Sequence, residues 1–273
     1  MSSRTILDIR TADTAVAHRE LLDRPEVPNV WRPRVSLMSS NCSTIAFVST
    51  MPGDGKTTVI AAAAVALKGM GVEVGVMVPV AIGCRRSRIG RVSADAELLA
   101  HFADVPEDLA TIAPYTQTGV DPPAVGGEPQ GVDVERILEC HQRIAGRARI
   151  VLVEVQGGLL FPLGRGLDSS SILKRMGATV VLVAPARAQC FHSILTMISC
   201  IRSKDLSLSA VVLNRYEPDA ASRADEVSPD WIERFGGAPA TYVLPVAKRY
   251  RTRSPRMDDD LTVAIGPLVR SWC

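Results

Sequence analysis

The sequence has no Cys-x-x-Cys pair, no block of like charges and no apolar run long enough to cross a bilayer. Its six cysteines stand apart, and three lie inside apolar stretches, which is typical of reduced, packed thiols. The first ten residues contain no apolar signal-peptide core, and the run 61–67 is far shorter than the about 20 residues of a membrane helix. These absences argue against export and membrane insertion and predict a cytoplasmic protein.

The chain also has little net charge. The formal net charge is +2, and lysine and arginine are spread along the chain, so neither a nucleic-acid nor a membrane partner is expected. Of the 273 residues, 47% are hydrophobic and 22% charged, which is enough for one substantial core. The composition favours one main domain that acts on small molecules.

Three regions are distinguished along the chain. Residues 1–40 form an N-terminal extension with a possible short helix and the prolines Pro25, Pro28 and Pro33, each of which interrupts regular structure. Residues 41–246 alternate short apolar runs with amphipathic stretches and form the main domain, and 247–273 form a C-terminal tail. Within the main domain, the Pro- and Gly-rich stretch 104–131 is expected to be a long loop or lid.

The alternation in the main domain is typical of a parallel sheet with helices on both faces. This pattern predicts an α/β fold with three layers. The predicted strands are Thr44–Val48, Val72–Val78, Ile150–Glu154, Thr179–Ala184, Ala210–Asn214 and Thr241–Leu244. The predicted helices are Lys56–Gly69, Asp95–Phe102, Asp133–Ile144, Ser169–Met176 and Phe191–Ser203.

A phosphate-binding loop is predicted between the first strand and the first helix. Backbone N–H groups at such a turn point at phosphates, the lysine adds a cation, and the threonine hydroxyl can coordinate Mg²⁺. The usual spacing would place glycine at position 50, where this chain has Thr50. The pattern nevertheless predicts a P-loop NTPase fold that binds ATP and Mg²⁺, with nucleotide-binding residues Gly53, Asp54, Gly55, Lys56, Thr57 and Thr58.

Carboxylates elsewhere in the chain are candidate Mg²⁺ ligands beside the Thr57 hydroxyl. Glu154 ends an apolar strand, and ligands of open α/β sheets bind at the carboxyl ends of strands. Gly157 and Gly158 follow it and would let backbone approach phosphate, which favours a ligand over the alternative, a solvated charge at the strand end. Asp95 begins a helix, where a carboxylate is also favoured as a cap.

The motifs together resemble dethiobiotin synthetase, the ATP-dependent enzyme that closes a ureido ring from a diamine and CO₂ or bicarbonate. The resemblance covers roughly positions 44–246 and preserves the order and spacing of several segments. These are 55–57 (GKT), 79–83 (PVAIG), 95–99 (DAELL), 112–115 (IAPY), 153–159 (VEVQGGL) and 192–196 (HSILT).

The resemblance implies a role for several residues. Lys56 would contact phosphates as the catalytic residue, and Thr57, Asp95 and Glu154 would hold Mg²⁺. Asn214 would meet the nucleobase, although a strand-end turn residue is an equally simple interpretation. The resemblance also implies a homodimer that takes an amine or diamine with CO₂ or bicarbonate. His192 matches a family position as well, but a single histidine on a helix flank is more often a packing or capping residue.

The chain departs from the family where the amine substrate binds. Val78 replaces a lysine that the family uses at the carbamate and substrate site, and Ile82 replaces a serine or threonine. The family's Ser-Pro-His stretch corresponds to Pro122-Pro123-Ala124, and the glycine and alanine after the glutamate are Val155 and Gln156. Several lost polar contacts, each worth about 1.5–3 kcal/mol, predict an altered acceptor.

Arg85 and Arg86 are candidate replacement cations for a carboxylate or carbamate, and the alternative is a solvated basic pair. The favoured function is an ATP-dependent carbon–nitrogen ligase. A regulatory ATPase similar to MinD, ParA or the bacterial tyrosine kinases is an alternative, because their phosphate loop is equally similar. The third possibility is a degenerate nucleotide-binding scaffold.

Overall fold

The structure is a computed structural model that describes residues 42–88, 90–126, 131–164, 166–247 and 256–273. The N-terminal extension expected over 1–40 lies outside the described residues.

The strands are numbered in chain order. They are β1 (Ser43–Ser49), β2 (Val74–Met77), β3 (Val80–Ala81), β4 (Arg85–Ser87), β5 (Gly90–Val92), β6 (Tyr115–Thr116), β7 (Ile150–Glu154), β8 (Pro162–Gly164), β9 (Leu167–Asp168), β10 (Thr179–Pro185), β11 (Ser207–Tyr216) and β12 (Thr241–Pro245).

The α-helices are α1 (Lys56–Gly69), α2 (Ala94–Ala103), α3 (Leu109–Ile112), α4 (Pro123–Gly126), α5 (Val134–Ala145), α6 (Ser169–Arg175), α7 (Phe191–Ser203), α8 (Arg223–Gly236) and α9 (Asp259–Arg270).

Six parallel strands form the main sheet in the order β12-β11-β10-β1-β7-β2. The central strand β1 pairs with β7 on one side and β10 on the other, and Phe47 is the register partner of Glu154. The carboxyl ends of these strands therefore lie along one edge of the sheet. The phosphate loop and Glu154 are brought together at that edge.

Side chains alternate across β1 and feed two hydrophobic clusters. Ile45 and Phe47 face the cluster that contains α1, α2 and α9, whereas Ala46 and Val48 face the cluster that contains α5, α6 and α7. Both faces of the sheet are thus covered by helices, as a parallel sheet requires. The predicted three-layer α/β architecture with a mostly parallel sheet is confirmed.

The six predicted strands and five predicted helices are all present within a few residues of their expected bounds. Two long helices, α8 and α9, were not predicted from the sequence. Each carries an interior proline, Pro229 and Pro267, which argues against a helix when the sequence is taken alone. Apolar burial outweighs this local cost, because Ile232 of α8 and Ile265 of α9 are fully buried.

The expected loop and the C-terminal tail both contain some regular structure. Of the expected loop 104–131, residues 104–126 and 131 are described, and they include the short helices α3 and α4 and the strand β6. Of the expected tail 247–273, residues 256–273 contain α9, which packs on α1. No helix within the described ranges is long and apolar enough to cross a membrane.

Candidate nucleotide and metal site

The phosphate loop depends on two glycines in left-handed backbone conformations, with φ of 87° at Gly53 and 89° at Gly55. Residues with a Cβ rarely adopt such angles. Gly55 is the N-cap of α1, and no side chain caps this helix N-terminus. Its first N–H groups therefore point towards the loop without a side-chain acceptor, an arrangement suited to an anion.

Lys56 lies at the centre of the site. Its side chain is buried, and Nζ donates a hydrogen bond of 2.9 Å to Oγ of Ser49, the last residue of β1. Ser49 in turn donates to the carbonyl oxygen of Met51 at 2.8 Å. The lysine is thereby held against the loop, with its charge at the junction of two surface clefts.

Thr50 and Asp54 explain how the loop holds its shape without a glycine at position 50. Oδ2 of Asp54 accepts hydrogen bonds of 2.7 Å from the hydroxyl of Thr50 and from the backbone N–H of Met51. The Asp54 side chain is buried in these contacts. The carboxylate of Asp54, a residue predicted to bind nucleotide, is therefore engaged by the loop itself.

Thr57 and the two candidate carboxylates converge at the edge of the sheet. The Thr57 hydroxyl donates a hydrogen bond of 2.8 Å to Oε1 of Glu154. Oε2 of Glu154 is buried and has no hydrogen-bond partner among the described residues. Asp95 lies in the first turn of α2, whose N-cap is Ser93, so its carboxylate is not the cap.

Electrostatics at this pair of carboxylates favours a bound cation. Burial, reinforced by the nearby charge of Asp95, raises the pKa of Glu154 to about 7, although Lys56 and the Thr57 hydroxyl act in the opposite direction. Burial also raises the pKa of Asp95. A divalent cation would remove the repulsion between the two carboxylates and give Oε2 of Glu154 a partner.

Two clefts meet at Lys56. The larger, of about 1010 Å³, is lined by loop residues including Thr57 and Thr58 and by Asp95, Glu154, Gln156 and Arg215. The smaller, of about 570 Å³, is lined by the start of the loop, by residues 157–162 and by one face of α7, including His192. Gly157 lines both clefts, and a Cβ on it would collide with the ring of Phe161.

Asn214 lies beneath the phosphate loop and lines neither of the two clefts. The residue is 3% exposed, and its side-chain amide donates a hydrogen bond of 2.9 Å to the carbonyl oxygen of Asp54. The next residue, Arg215, has a left-handed φ of 61°, and it lines the larger cleft. A non-glycine residue at such an angle is often held there for a functional reason.

The positions at which the chain departs from its family lie in different environments. Val78 is 0% exposed and belongs to the apolar core, whereas Ile82 lines the larger cleft. Arg85 forms an exposed ion pair of 2.7 Å with Glu97. Neither cleft is lined by Arg86 of the basic pair or by the substituted positions Pro122 and Ala124.

The sequence missed two residues that the structure brings into the site. Gln156 had been noted only as a departure from the family, and it contacts both Asp95 and the backbone of Ile82. Ser49 had no assigned role, and it holds Lys56. The position of Ser49 at the end of β1 was the available signal, because strand ends line the site.

The family model described as AAA domain matches residues 43–251. ATP-dependent dethiobiotin synthetase BioD of Nitrosospira multiformis is 30% identical over 206 residues, which cover 75% of this chain and 88% of the relative. The chain belongs to the dethiobiotin synthetase family. The resemblance inferred from the sequence is confirmed.

A second dethiobiotin synthetase, that of Thermodesulfovibrio yellowstonii, is 28% identical over 206 residues and covers 72% of this chain and 85% of its own length. A solved ParA family ATPase from Chlorobium tepidum TLS superposes with a TM-score of 0.53 at 16% identity, covering 84% of this chain and 98% of that one. This chain therefore has the predicted three-layer P-loop NTPase fold.

Proposed function

We propose that this protein is an ATP- and Mg²⁺-dependent ligase of the dethiobiotin synthetase type. A carbamate or carboxylate oxygen attacks the γ-phosphorus of ATP, ADP leaves, and an amine then displaces phosphate to form a carbon–nitrogen bond. One observation carries the proposal. Lys56, Thr57 and Glu154 converge at the carboxyl ends of the parallel strands, and Asp95 lies beside them. Such catalysis needs positioning and charge neutralisation rather than a strong general base.

The phosphates would lie against the N-terminus of α1. The N–H groups of the turn from Gly53 to Thr58 bind phosphate oxygens, and the contribution of Asp54 comes from its backbone, since its carboxylate is occupied. Lys56 contacts the transferring phosphoryl group. Gly157 and Gly158 supply further backbone to the phosphates, and both have left-handed φ angles.

The residues present fit a magnesium ion. The ligands we assign are the Thr57 hydroxyl, the unpartnered Oε2 of Glu154 and one oxygen of Asp95. Among the described residues, no cluster of three or more His, Cys, Asp or Glu side chains is placed to hold a metal, so nucleotide oxygens and water complete the set. When bound, Mg²⁺ neutralises charge on the phosphates.

The acceptor is proposed to differ from the family's diamine. The family lysine is replaced by the buried Val78, and the exposed ion pair of Arg85 gives no substitute cation in the larger cleft. For the nucleobase contact assigned to Asn214, one amide N–H is already used by the carbonyl oxygen of Asp54, which leaves the side-chain carbonyl oxygen and the second N–H. We extend to this chain the homodimer that the resemblance implies.

ATP turnover tests the proposal. ADP release is measured with bicarbonate and a panel of amino acids and diamines, and at least one amine is expected to raise it well above the rate with ATP alone. Lys56→Ala should abolish the stimulated rate. Lys68→Ala, at an exposed position of the same helix, should keep it. No stimulation by any amine would refute the ligase, and nucleotide-driven dimerisation would then favour the regulatory ATPase.

A further inference from the structure

Gln156 connects two separate walls of the larger cleft. Its Nε2 donates a hydrogen bond of 2.6 Å to Oδ2 of Asp95, and its Oε1 accepts one of 2.9 Å from the backbone N–H of Ile82. A carboxylate accepts and an N–H donates, so the chemistry of these partners permits one orientation of the amide. The side chain is therefore fixed at both of its polar atoms.

The three partners come from distant parts of the chain. Gln156 follows the end of β7 by two residues, Asp95 lies in the first turn of α2, and Ile82 follows β3. Gln156, Asp95 and Ile82 all line the same cleft. The glutamine thus links a candidate metal ligand to the segment where the chain departs from its family.

The hydrogen bonds also determine which carboxylate oxygens remain for a cation. Gln156 engages Oδ2 of Asp95, and Thr57 engages Oε1 of Glu154. Glu154 is thereby oriented by Oε1 and presents its unpartnered Oε2, whereas Asp95 is held at Oδ2 by Gln156 and also interacts with the Thr57 hydroxyl. Without Gln156, Asp95 would lose the side-chain amide that holds its Oδ2.

We propose that Gln156 is a positioning residue that orients Asp95 for Mg²⁺ binding and ties the Ile82 segment to that site. This inference rests on the metal site of the proposed function. Binding of Mg²⁺–nucleotide at Asp95 and the position of the Ile82 segment are then coupled through the side-chain amide of Gln156. A glutamine that served stability alone would leave the magnesium requirement unchanged.

Binding of a fluorescent ATP analogue to the full-length protein, titrated with MgCl₂, tests this role. Gln156→Met keeps the side-chain length and removes both hydrogen bonds, and Gln156→Ala is the second variant. Gln142→Met, on an exposed position of α5, is the matched control. We expect the half-saturating Mg²⁺ concentration to rise about tenfold in both Gln156 variants. Analogue affinity in EDTA should change less than twofold.

A double-mutant cycle separates positioning from an independent effect. If Gln156 acts through Asp95, then adding Gln156→Met to Asp95→Asn should raise the magnesium requirement less than twofold further. Multiplicative effects, or a folded Gln156→Met protein with the wild-type requirement, would overturn the inference. Urea denaturation verifies that each variant is folded.

The result is separable from that of the ligase proposal. Wild-type protein that binds Mg²⁺–nucleotide but shows no amine-stimulated turnover would refute the ligase and leave the role of Gln156 intact. Wild-type protein without Mg²⁺-dependent binding would refute both. A wild-type magnesium requirement in both Gln156 variants would refute the glutamine's role alone.

Discussion

The side-chain amide of Asn214 donates a hydrogen bond to the carbonyl oxygen of Asp54, so the end of β11 supports the phosphate loop from below. This contact depends on the absence of a side chain at Gly55, because a Cβ there would collide with the amide nitrogen of Asn214. Gly55 therefore serves both the backbone angle and the close approach of a second segment.

Gly55→Ala is expected to damage the loop more than Gly53→Ala. Both positions have nearly the same left-handed φ, but a Cβ on Gly53 meets nothing within 4 Å. The backbone strain of about 1–2 kcal/mol is thus common to both variants, and the collision with Asn214 is added only at Gly55. ATP-analogue affinity and urea unfolding measure the difference, and equal losses would contradict it.

The pH dependence of stability should report the buried carboxyl of Glu154. Its pKa is raised from 4.5 to about 7 in the folded protein, so the unfolded chain ionises this group first. The free energy of unfolding of nucleotide-free protein should therefore fall by about 3 kcal/mol from this group as pH rises from 4.5 through 7.

Glu154→Gln isolates that contribution. The variant should gain stability relative to wild type at pH 8 and differ little at pH 4.5, because glutamine does not ionise. Urea denaturation at a series of pH values, without nucleotide, gives the difference curve. A difference that is flat across this range would mean that Glu154 titrates normally.

Val78→Lys should fail to restore the family's lysine. Val78 is 0% exposed within the apolar core, and keeping a lysine neutral there at pH 8 costs about 3 kcal/mol. Val78→Met is the uncharged control of similar length. Urea midpoints compare the two variants, and a Val78→Lys protein as stable as Val78→Met, with new diamine-dependent turnover, would show that this side chain reaches the cleft.

Leu268→Ala should destabilise the whole domain, because α9 is part of the core. Leu268 is 0% exposed in the cluster shared with α1, and such truncations cost about 2–5 kcal/mol. Val263, 77% exposed on the same helix, provides the control, and its replacement by alanine should change stability by about 0.5 kcal/mol or less. Urea midpoints of the two variants test the contrast.

Much of the fold was predictable because its strands are continuous apolar runs bounded by turns. Ile150–Glu154 and the helix Lys56–Gly69 have the bounds that the sequence predicted. The helices around Pro229 and Pro267 were not predictable, since their stability comes from burial against segments distant in the chain rather than from local preference.

The same distinction applies to the site. The sequence places Lys56 and Thr57 at a helix N-terminus and Glu154 at a strand end, and the structure puts them together. Hydrogen-bond partners could not be inferred in this way. The commitment of Asp54 to Thr50 and the link from Gln156 to Asp95 depend on side-chain directions that no spacing encodes.

The phosphate loop lies near the start of the main domain, whereas the residues that support it come much later in the sequence. Thr57 meets Glu154 across 97 positions, and Asn214 reaches Asp54 across 160. When the loop has just been synthesised, Glu154 and Asn214 have not, so both contacts are missing. Contacts of such sequence separation form slowly because long segments must first be brought together. If the proposed function is correct, ATP can stabilise the completed phosphate loop only after β11 has been synthesised.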